Sequence, residues 1–109
     1  MNIILDTHSF LWFVWNDSKF SASARSHIES PTSRNWISVA SLWEIAIKYS
    51  LGKLNVGSSL DVFFKRELSL NSFLLLDINV AHLAMLSNLS FHHRDPFDRL
   101  LVAQSLSES

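Results

Sequence analysis

The sequence predicts an α/β domain, in which helices connect the parallel strands of one sheet. Three short apolar runs are typical of buried strands: residues 2–5, residues 36–37, and residues 73–76 with Ile78. Each run is followed by a stretch with helical periodicity. Because strands and helices alternate, we expect neighbouring strands to be parallel and to be joined by crossover helices. The length of 109 residues fits one domain, residues 1–109.

Capping residues predict where the helices begin and end. Serine, aspartate and asparagine accept hydrogen bonds from a helix's first turn, and glycine often follows its last. The third helix would begin after Ser38 or Ser41 and end before Gly52. The last would have Asp95 as its cap and Pro96 at its first position. The predicted helices span residues 10–15, 21–30, 39–51, 60–70, 80–86 and 96–105.

The composition narrows the classes of protein to which this chain can belong. It has 9 Lys and Arg against 10 Asp and Glu, so no overall positive field attracts nucleic acid, and any contact with RNA must be local. The absence of cysteine excludes disulfides and thiolate metal sites. No basic signal-peptide start is present, and no apolar run approaches the roughly 20 residues of a membrane span. We therefore expect a cytoplasmic protein without membrane contact.

Three acidic residues are placed where an α/β fold could aim them at one point. Asp6 ends the first strand, Glu44 lies in the helix after the second strand, and Asp98 lies in the first turn of the last helix. Ligands of open parallel sheets bind beyond the carboxyl ends of the strands. Carboxylates without cysteine or zinc-like histidine spacing favour Mg²⁺ or Mn²⁺, which can activate water for phosphodiester hydrolysis. The pattern therefore predicts a metal-dependent phosphodiesterase.

Each of these acidic residues also has a structural explanation. Asp6 can form the turn after a strand, and Glu44 can pair with Lys48 four residues later. Asp95 and Asp98 suit the start of a helix, where one caps and the other interacts with the helix dipole. For Asp95 we prefer the capping role.

Several other polar and aromatic residues are candidate contacts for a nucleic acid. His8 could position a substrate near Asp6. The five histidines lack the spacing of a zinc site. The tryptophans at 12, 15, 36 and 43 follow apolar periodicity, which favours core packing over stacking on bases. The side chains that could contact phosphates are Lys48, Lys53, Arg94 and Arg99.

Four motifs, in this order, resemble a PIN domain of the VapC toxin type. They are Leu5-Asp6-Thr7-His8, Ser41-Leu42-Trp43-Glu44-Ile45-Ala46-Ile47-Lys48, Leu51-Gly52-Lys53-Leu54 and His93-Arg94-Asp95-Pro96-Phe97-Asp98-Arg99-Leu100-Leu101-Val102-Ala103-Gln104. The resemblance runs from Met1 to Gln104. It implies a three-layer α/β/α fold with a central parallel sheet. It also implies a Mg²⁺- or Mn²⁺-dependent endoribonuclease, the toxin of a bacterial toxin–antitoxin pair, which is inhibited by a protein antitoxin and is commonly a homodimer.

The resemblance assigns roles to particular residues. The metal ligands would be Asp6, Glu44 and Asp98, with Asp95 as a secondary candidate. The residues expected to contact the RNA substrate are Thr7, His8, Lys48, Arg94 and Arg99.

The sequence differs from the family's pattern at its carboxyl end. Family members continue past the last helix into a strand with a Thr-x-Asp-like motif, whereas this sequence ends at Ser109. We therefore expect the last strand or strands and a fourth acidic ligand to be missing, and the strand at residues 2–5 to be an unpaired edge. An alternative function is a truncated PIN domain that no longer cuts and acts by binding an antitoxin or itself. A phosphatase is disfavoured because Asp6-Thr7-His8 lacks an Asp-x-Asp motif.

Overall fold

The computed structural model describes residues 1–90 and 95–108. Within them, three strands and six helices form an α/β domain, which confirms the predicted class. Their order is β1 (Asn2–Leu5), α1 (Thr7–Val14), α2 (Ala22–Glu29), β2 (Arg34–Ser38), α3 (Val39–Ser50), α4 (Leu60–Leu70), β3 (Leu74–Leu76), α5 (Val80–Ser87) and α6 (Pro96–Glu108).

The strands form one parallel sheet in the order β1-β2-β3. Asn2 pairs with Arg34 at the start of β1, and Trp36 pairs with Leu74 between β2 and β3. Two helices lie in each crossover, α1 and α2 in the first and α3 and α4 in the second. Parallel pairing places the carboxyl ends of all three strands at one edge of the sheet, where the candidate site begins.

The main apolar core contains residues of β1, β2 and helices α1 to α4. Phe10 and Phe13 of α1 both pack edge-on against Phe73, with ring centroids 5.3 Å and 5.8 Å apart. Such aromatic pairs stabilise a core beyond the effect of the area that they bury. The buried members of this cluster are Leu5, Phe10, Leu11, Phe13, Ile28, Ile37, Ile45, Val56, Phe63 and Phe73.

The capping predictions were largely confirmed. Ser38, rather than Ser41, is the N-cap of α3, and its hydroxyl accepts from the main chain of Ala40. Gly52 follows the end of that helix with a φ of 72°, a left-handed conformation that favours glycine. The last helix extends to Glu108, beyond the predicted end at residue 105, because neither glycine nor proline interrupts it.

Two predictions about burial were wrong. The third strand covers only Leu74–Leu76 and is not buried, since Leu75 is 45% exposed at an edge of the described sheet. Trp15 and Trp43 are exposed rather than part of the core, and Trp43 is 57% exposed. Helix α3 carries apolar residues around more of its circumference than its neighbours cover, so periodicity alone overestimated the burial of Trp43.

Helices α5 and α6 are joined by a buried histidine. His82 lies in the capping box of α5, where its Nδ1 accepts from the main-chain N–H of Asn79 at 3.2 Å. A main-chain N–H can only donate, so Nδ1 carries no proton and Nε2 is the protonated nitrogen of the neutral ring. Nε2 then donates to Oε2 of Glu108 at 2.7 Å. This contact fixes the end of α6 against the start of α5.

In the part of the chain that the structure describes, none of the helices has the length and apolar character needed to cross a bilayer.

Candidate active site

Asp6 lies between β1 and α1 and is exposed. It is the N-cap of α1, and its Oδ1 accepts from the main-chain N–H of Ser9 at 2.7 Å. The structural role that the sequence predicted for Asp6, at the turn after the strand, is therefore confirmed. The cap engages one carboxylate oxygen, and a carboxylate has two oxygens with several acceptor sites, so capping and ligand binding are compatible.

Thr7 connects this corner to α3. It is only 2% exposed, and its hydroxyl donates to Oε1 of Glu44 at 2.7 Å. The other oxygen of Glu44, Oε2, lies 3.2 Å from Nζ of Lys48, the predicted pair within α3. These contacts orient the Glu44 carboxylate next to the residue that follows Asp6.

A second contact connects α3 to α6. Trp43 packs edge-on against Phe97, with ring centroids 5.1 Å apart. Trp43 precedes Glu44 and Phe97 precedes Asp98, so the ring contact brings together the two helices that carry these acidic residues. Asp98 is exposed in the first turn of α6.

Asp95 has the capping role that the sequence favoured. Its Oδ1 accepts from the main-chain N–H of Phe97 at 2.8 Å and lies 3.4 Å from that of Asp98. It is exposed at the start of α6.

The side chains at this corner suit a hard cation in their chemistry. Asp6 and Glu44 supply carboxylate oxygens, the donors that Mg²⁺ and Mn²⁺ prefer. Within residues 1–90 and 95–108, however, no three His, Cys, Asp or Glu side chains are grouped closely enough to hold a metal ion. The complete set of Asp6, Glu44 and Asp98 therefore stays a prediction.

The predicted substrate contacts have different surroundings. His8 is exposed and packs at a tilt on Trp12, with centroids 5.9 Å apart. Arg99 donates to the main-chain oxygens of Ser90 at 2.8 Å and Leu86 at 3.4 Å, so it ties the start of α6 to the end of α5. Arg94 lies outside the described residues, as do His92 and His93.

The sequence did not predict a cavity beside Asp6. This β1–α6 cavity, about 430 Å³ in volume, lies between the sheet and α6. Its lining from the sheet includes Asn2, Ile4 and Asp6, which share one face because side chains alternate along a strand. From the alternation, the sequence could have predicted that Asn2, Ile4 and Asp6 share a face. The cavity itself was not predictable, because it depends on how α6 crosses the sheet.

A comparison with known protein families shows to which family this chain belongs. The family model described as PIN domain matches residues 3–109. The chain belongs to the PIN domain family. PIN domains are in general nucleases that act on nucleic acids, often within toxin–antitoxin systems and typically with a divalent metal ion. Neither the curated proteins nor the solved structures contain a match to this PIN domain.

Proposed function

We propose that this PIN domain is a metal-dependent endoribonuclease and the toxin of a bacterial toxin–antitoxin system. The observation that supports it best is the 2.7 Å hydrogen bond from Thr7 to Glu44. It joins the end of β1, where Asp6 lies, to the acidic residue of α3, which are separate in the sequence. A buried hydroxyl that orients a carboxylate is typical of a site that positions its ligands.

In this proposal Asp6, Glu44 and Asp98 hold a Mg²⁺ or Mn²⁺ ion, with Asp95 as a secondary candidate. The ion supplies a bound water of lowered pKa and neutralises negative charge that develops on the phosphate. Thr7 keeps Glu44 in one orientation. The Trp43–Phe97 contact keeps α6, and with it Asp98, against α3.

Lys48 would stabilise Glu44 when no cation is bound and contact the RNA backbone when one is. Its ammonium group is 3.2 Å from Glu44 and its side chain is partly exposed, so it can reach a phosphate nearby. His8 is exposed two residues after Asp6 and is a candidate to contact the RNA. Arg94 and Arg99 stay predicted substrate contacts, whereas Thr7, which was also predicted as one, is buried and would act by orienting Glu44. Because the formal charge is -1, binding would depend on such local groups.

The biological assignment includes a protein antitoxin as inhibitor, a homodimer as the assembly and the cytoplasm as the location. The resemblance of the four motifs to the VapC type implies the antitoxin and the homodimer, and the absence of cysteine agrees with the cytoplasm.

The deciding experiment combines Mn²⁺ calorimetry with an RNA cleavage assay on the same samples. Asp6→Asn and Glu44→Gln should lose both Mn²⁺ binding and cleavage. Asparagine is also a good N-cap, so Asp6→Asn keeps the start of α1 intact. Cleavage that persists in both variants would disprove the proposed site.

Asp61→Asn is the matched control. Asp61 lies in the first turn of α4 and does not line the β1–α6 cavity. The hydrogen bond with the Ser59 side chain lowers the pKa of Asp61, so the residue is ionised at neutral pH. The control therefore removes the same charge, and it should bind Mn²⁺ and cleave RNA like the wild type.

The second candidate is a PIN domain that acts only by binding a partner. Within residues 1–90 and 95–108, β1 is a terminal strand of the sheet, and an exposed strand edge is a template for another chain. Folded wild-type protein that neither binds Mn²⁺ nor cleaves RNA would support this function over the nuclease.

A further inference from the structure

An exposed aromatic pair lies where α3 meets α6. Trp43 is 57% exposed and packs against the half-buried Phe97, with the ring centroids 5.1 Å apart and the ring planes inclined at 76°. An edge-on contact of this kind engages at most one face of each ring. Because more than half of the Trp43 side chain is also exposed, a face of its indole is open to a flat partner.

Both rings are next to acidic residues of the candidate active site. Trp43 immediately precedes Glu44 in α3, and Phe97 immediately precedes Asp98 in α6. The Glu44 carboxylate is held by Thr7 at the start of α1, so α1, α3 and α6 all border this corner. If a phosphate binds at these carboxylates, the base of a neighbouring nucleotide can therefore reach the aromatic pair.

Lys48 adds a positive charge to the same side of α3. It lies one helical turn beyond Glu44, 3.2 Å from its Oε2, and its side chain is partly exposed. Successive residues of an α-helix are rotated by about 100°, so Trp43, Glu44 and Lys48 fall within about 140° of the helix circumference. This surface offers an aromatic face and a cation together, the combination with which proteins bind single-stranded nucleic acids.

A protein partner is the competing occupant of this surface. Ile47 and Leu51, which follow Trp43 at intervals of four residues, are 37% and 61% exposed. The cores of protein interfaces are, however, depleted in charged residues, and covering the Glu44–Lys48 pair would remove two charges from water. RNA instead brings phosphates that Lys48 attracts. The charges beside Trp43 therefore favour RNA.

We infer that Trp43, supported by Phe97, is a stacking platform for an unpaired nucleobase next to the bond that is cut. The inference rests on the proposed ribonuclease, because it takes RNA as the ligand. It narrows the substrate to RNA that is single-stranded at this nucleotide, since bases inside a duplex are stacked on one another and cannot be splayed onto a side chain. Adenine has a larger ring system than uracil and should stack more strongly.

The test compares the binding of oligoadenosine, of oligouridine of equal length and of the duplex that they form. Fluorescence anisotropy of labelled RNA is measured at one salt concentration in EDTA, which prevents metal-dependent cleavage. Trp43→Leu should weaken the binding of oligoadenosine about five- to a hundredfold, the range for loss of one base stack. It should weaken the binding of oligouridine less and that of the duplex little.

Trp15→Leu is the matched control. Trp15 follows the end of α1 and is 44% exposed, and its ring lies near Phe63 of α4, with centroids 6.5 Å apart. The variant makes the same substitution at another exposed tryptophan and should bind oligoadenosine like the wild type. Trp43→Phe keeps a smaller aromatic face and should recover part of the affinity. Circular dichroism checks that all three variants fold.

Tryptophan fluorescence shows whether the Trp43 ring itself touches the base. Stacking on a base quenches the emission of an indole, so oligoadenosine should quench the wild type and Trp15→Leu more than Trp43→Leu. If Trp43 acted only by fixing α6 beside α3, its loss would weaken the binding of all three RNAs equally. Equal weakening would therefore overturn the inference, as would unchanged binding of oligoadenosine by Trp43→Leu.

Analytical ultracentrifugation of the RNA-free protein tests the competing occupant. A dimer that Trp43→Leu converts to a monomer, with unchanged RNA affinity, would assign this surface to a second copy of the chain and overturn the inference. A separate cleavage assay in Mn²⁺ distinguishes the two proposals. Cleavage by the wild type without any effect of Trp43 on binding would remove only the platform. Trp43-dependent binding of single strands without cleavage would remove only the nuclease.

Discussion

The hydroxyl of Thr7 donates a 2.7 Å hydrogen bond to Oε1 of Glu44, although the two residues are 37 positions apart in the chain. The bond connects the start of α1 to the middle of α3, next to Asp6. Because Thr7 is buried and the Glu44 side chain is only 13% exposed, water competes poorly for this contact. Thr7 is therefore a positioning residue in the proposed site.

Thr7→Val should reduce RNA cleavage about tenfold or more and weaken Mn²⁺ binding. Valine keeps the shape of threonine but removes the donor, and a hydrogen bond to a charged group contributes about 1.5–3 kcal/mol. The measurements are cleavage rate at saturating Mn²⁺ and calorimetric affinity. Thr7→Ser retains a hydroxyl and should recover most of both. A valine variant with wild-type affinity would show that Glu44 is oriented by other contacts.

Lys48→Met should tighten Mn²⁺ binding about two- to fivefold, because an exposed i,i+4 ion pair is worth only a few tenths of a kcal/mol to 1 kcal/mol. The ammonium group of Lys48, 3.2 Å from Oε2 of Glu44, competes with a cation for that carboxylate. Methionine keeps the length and removes the charge. Calorimetry at several ionic strengths measures the change.

Lys53→Met removes the same charge from an exposed residue beyond α3 and should have little effect on Mn²⁺ binding. If both lysine variants change the affinity equally, the effect is one of net charge. If Lys48→Met weakens binding, the lysine supports the ion site instead of competing with it.

Local signals predicted much of the fold. Ser21, Ser38, Asn79 and Asp95 each cap a helix from within the same few residues, so a short stretch of sequence contains both the donor and the acceptor. The Glu44–Lys48 pair was predicted for the same reason. In each case the contact depends only on the helical periodicity of the main chain.

Contacts between distant elements were not predictable in this way. The Thr7–Glu44 bond and the Trp43–Phe97 contact depend on how α1, α3 and α6 pack. The exposure of β3 depends on the strand order, which places it at an edge. His82 received no structural role from the sequence, although the spacing of Asn79 and His82 was a usable sign of a capping box.

Trp43→Ala should lower RNA cleavage more than it lowers stability. Trp43 is 57% exposed, so its truncation removes little core packing, but its edge-on contact with Phe97 helps to fix α6 beside α3. Aromatic pairs of this kind contribute about 0.5–1.5 kcal/mol. Trp43→Phe preserves an aromatic ring and should retain more activity. Parallel measurements of cleavage and urea unfolding distinguish the two effects, and equal losses in both variants would argue against the contact.

His82→Leu should destabilise the domain by about 1–3 kcal/mol, the cost of leaving a buried polar group without its partner. Leucine has a comparable size, so the main loss is hydrogen bonding. The Asn79 N–H loses its acceptor, Nδ1, and the Glu108 carboxylate loses its donor, Nε2. Glu108→Gln should cost less, because that carboxylate is partly exposed and glutamine can still accept from Nε2. Urea unfolding with an unchanged m-value would assign the difference to native stability. A larger loss in Glu108→Gln than in His82→Leu would mean that the charge of Glu108, rather than the protonated Nε2 of His82, joins α5 to α6.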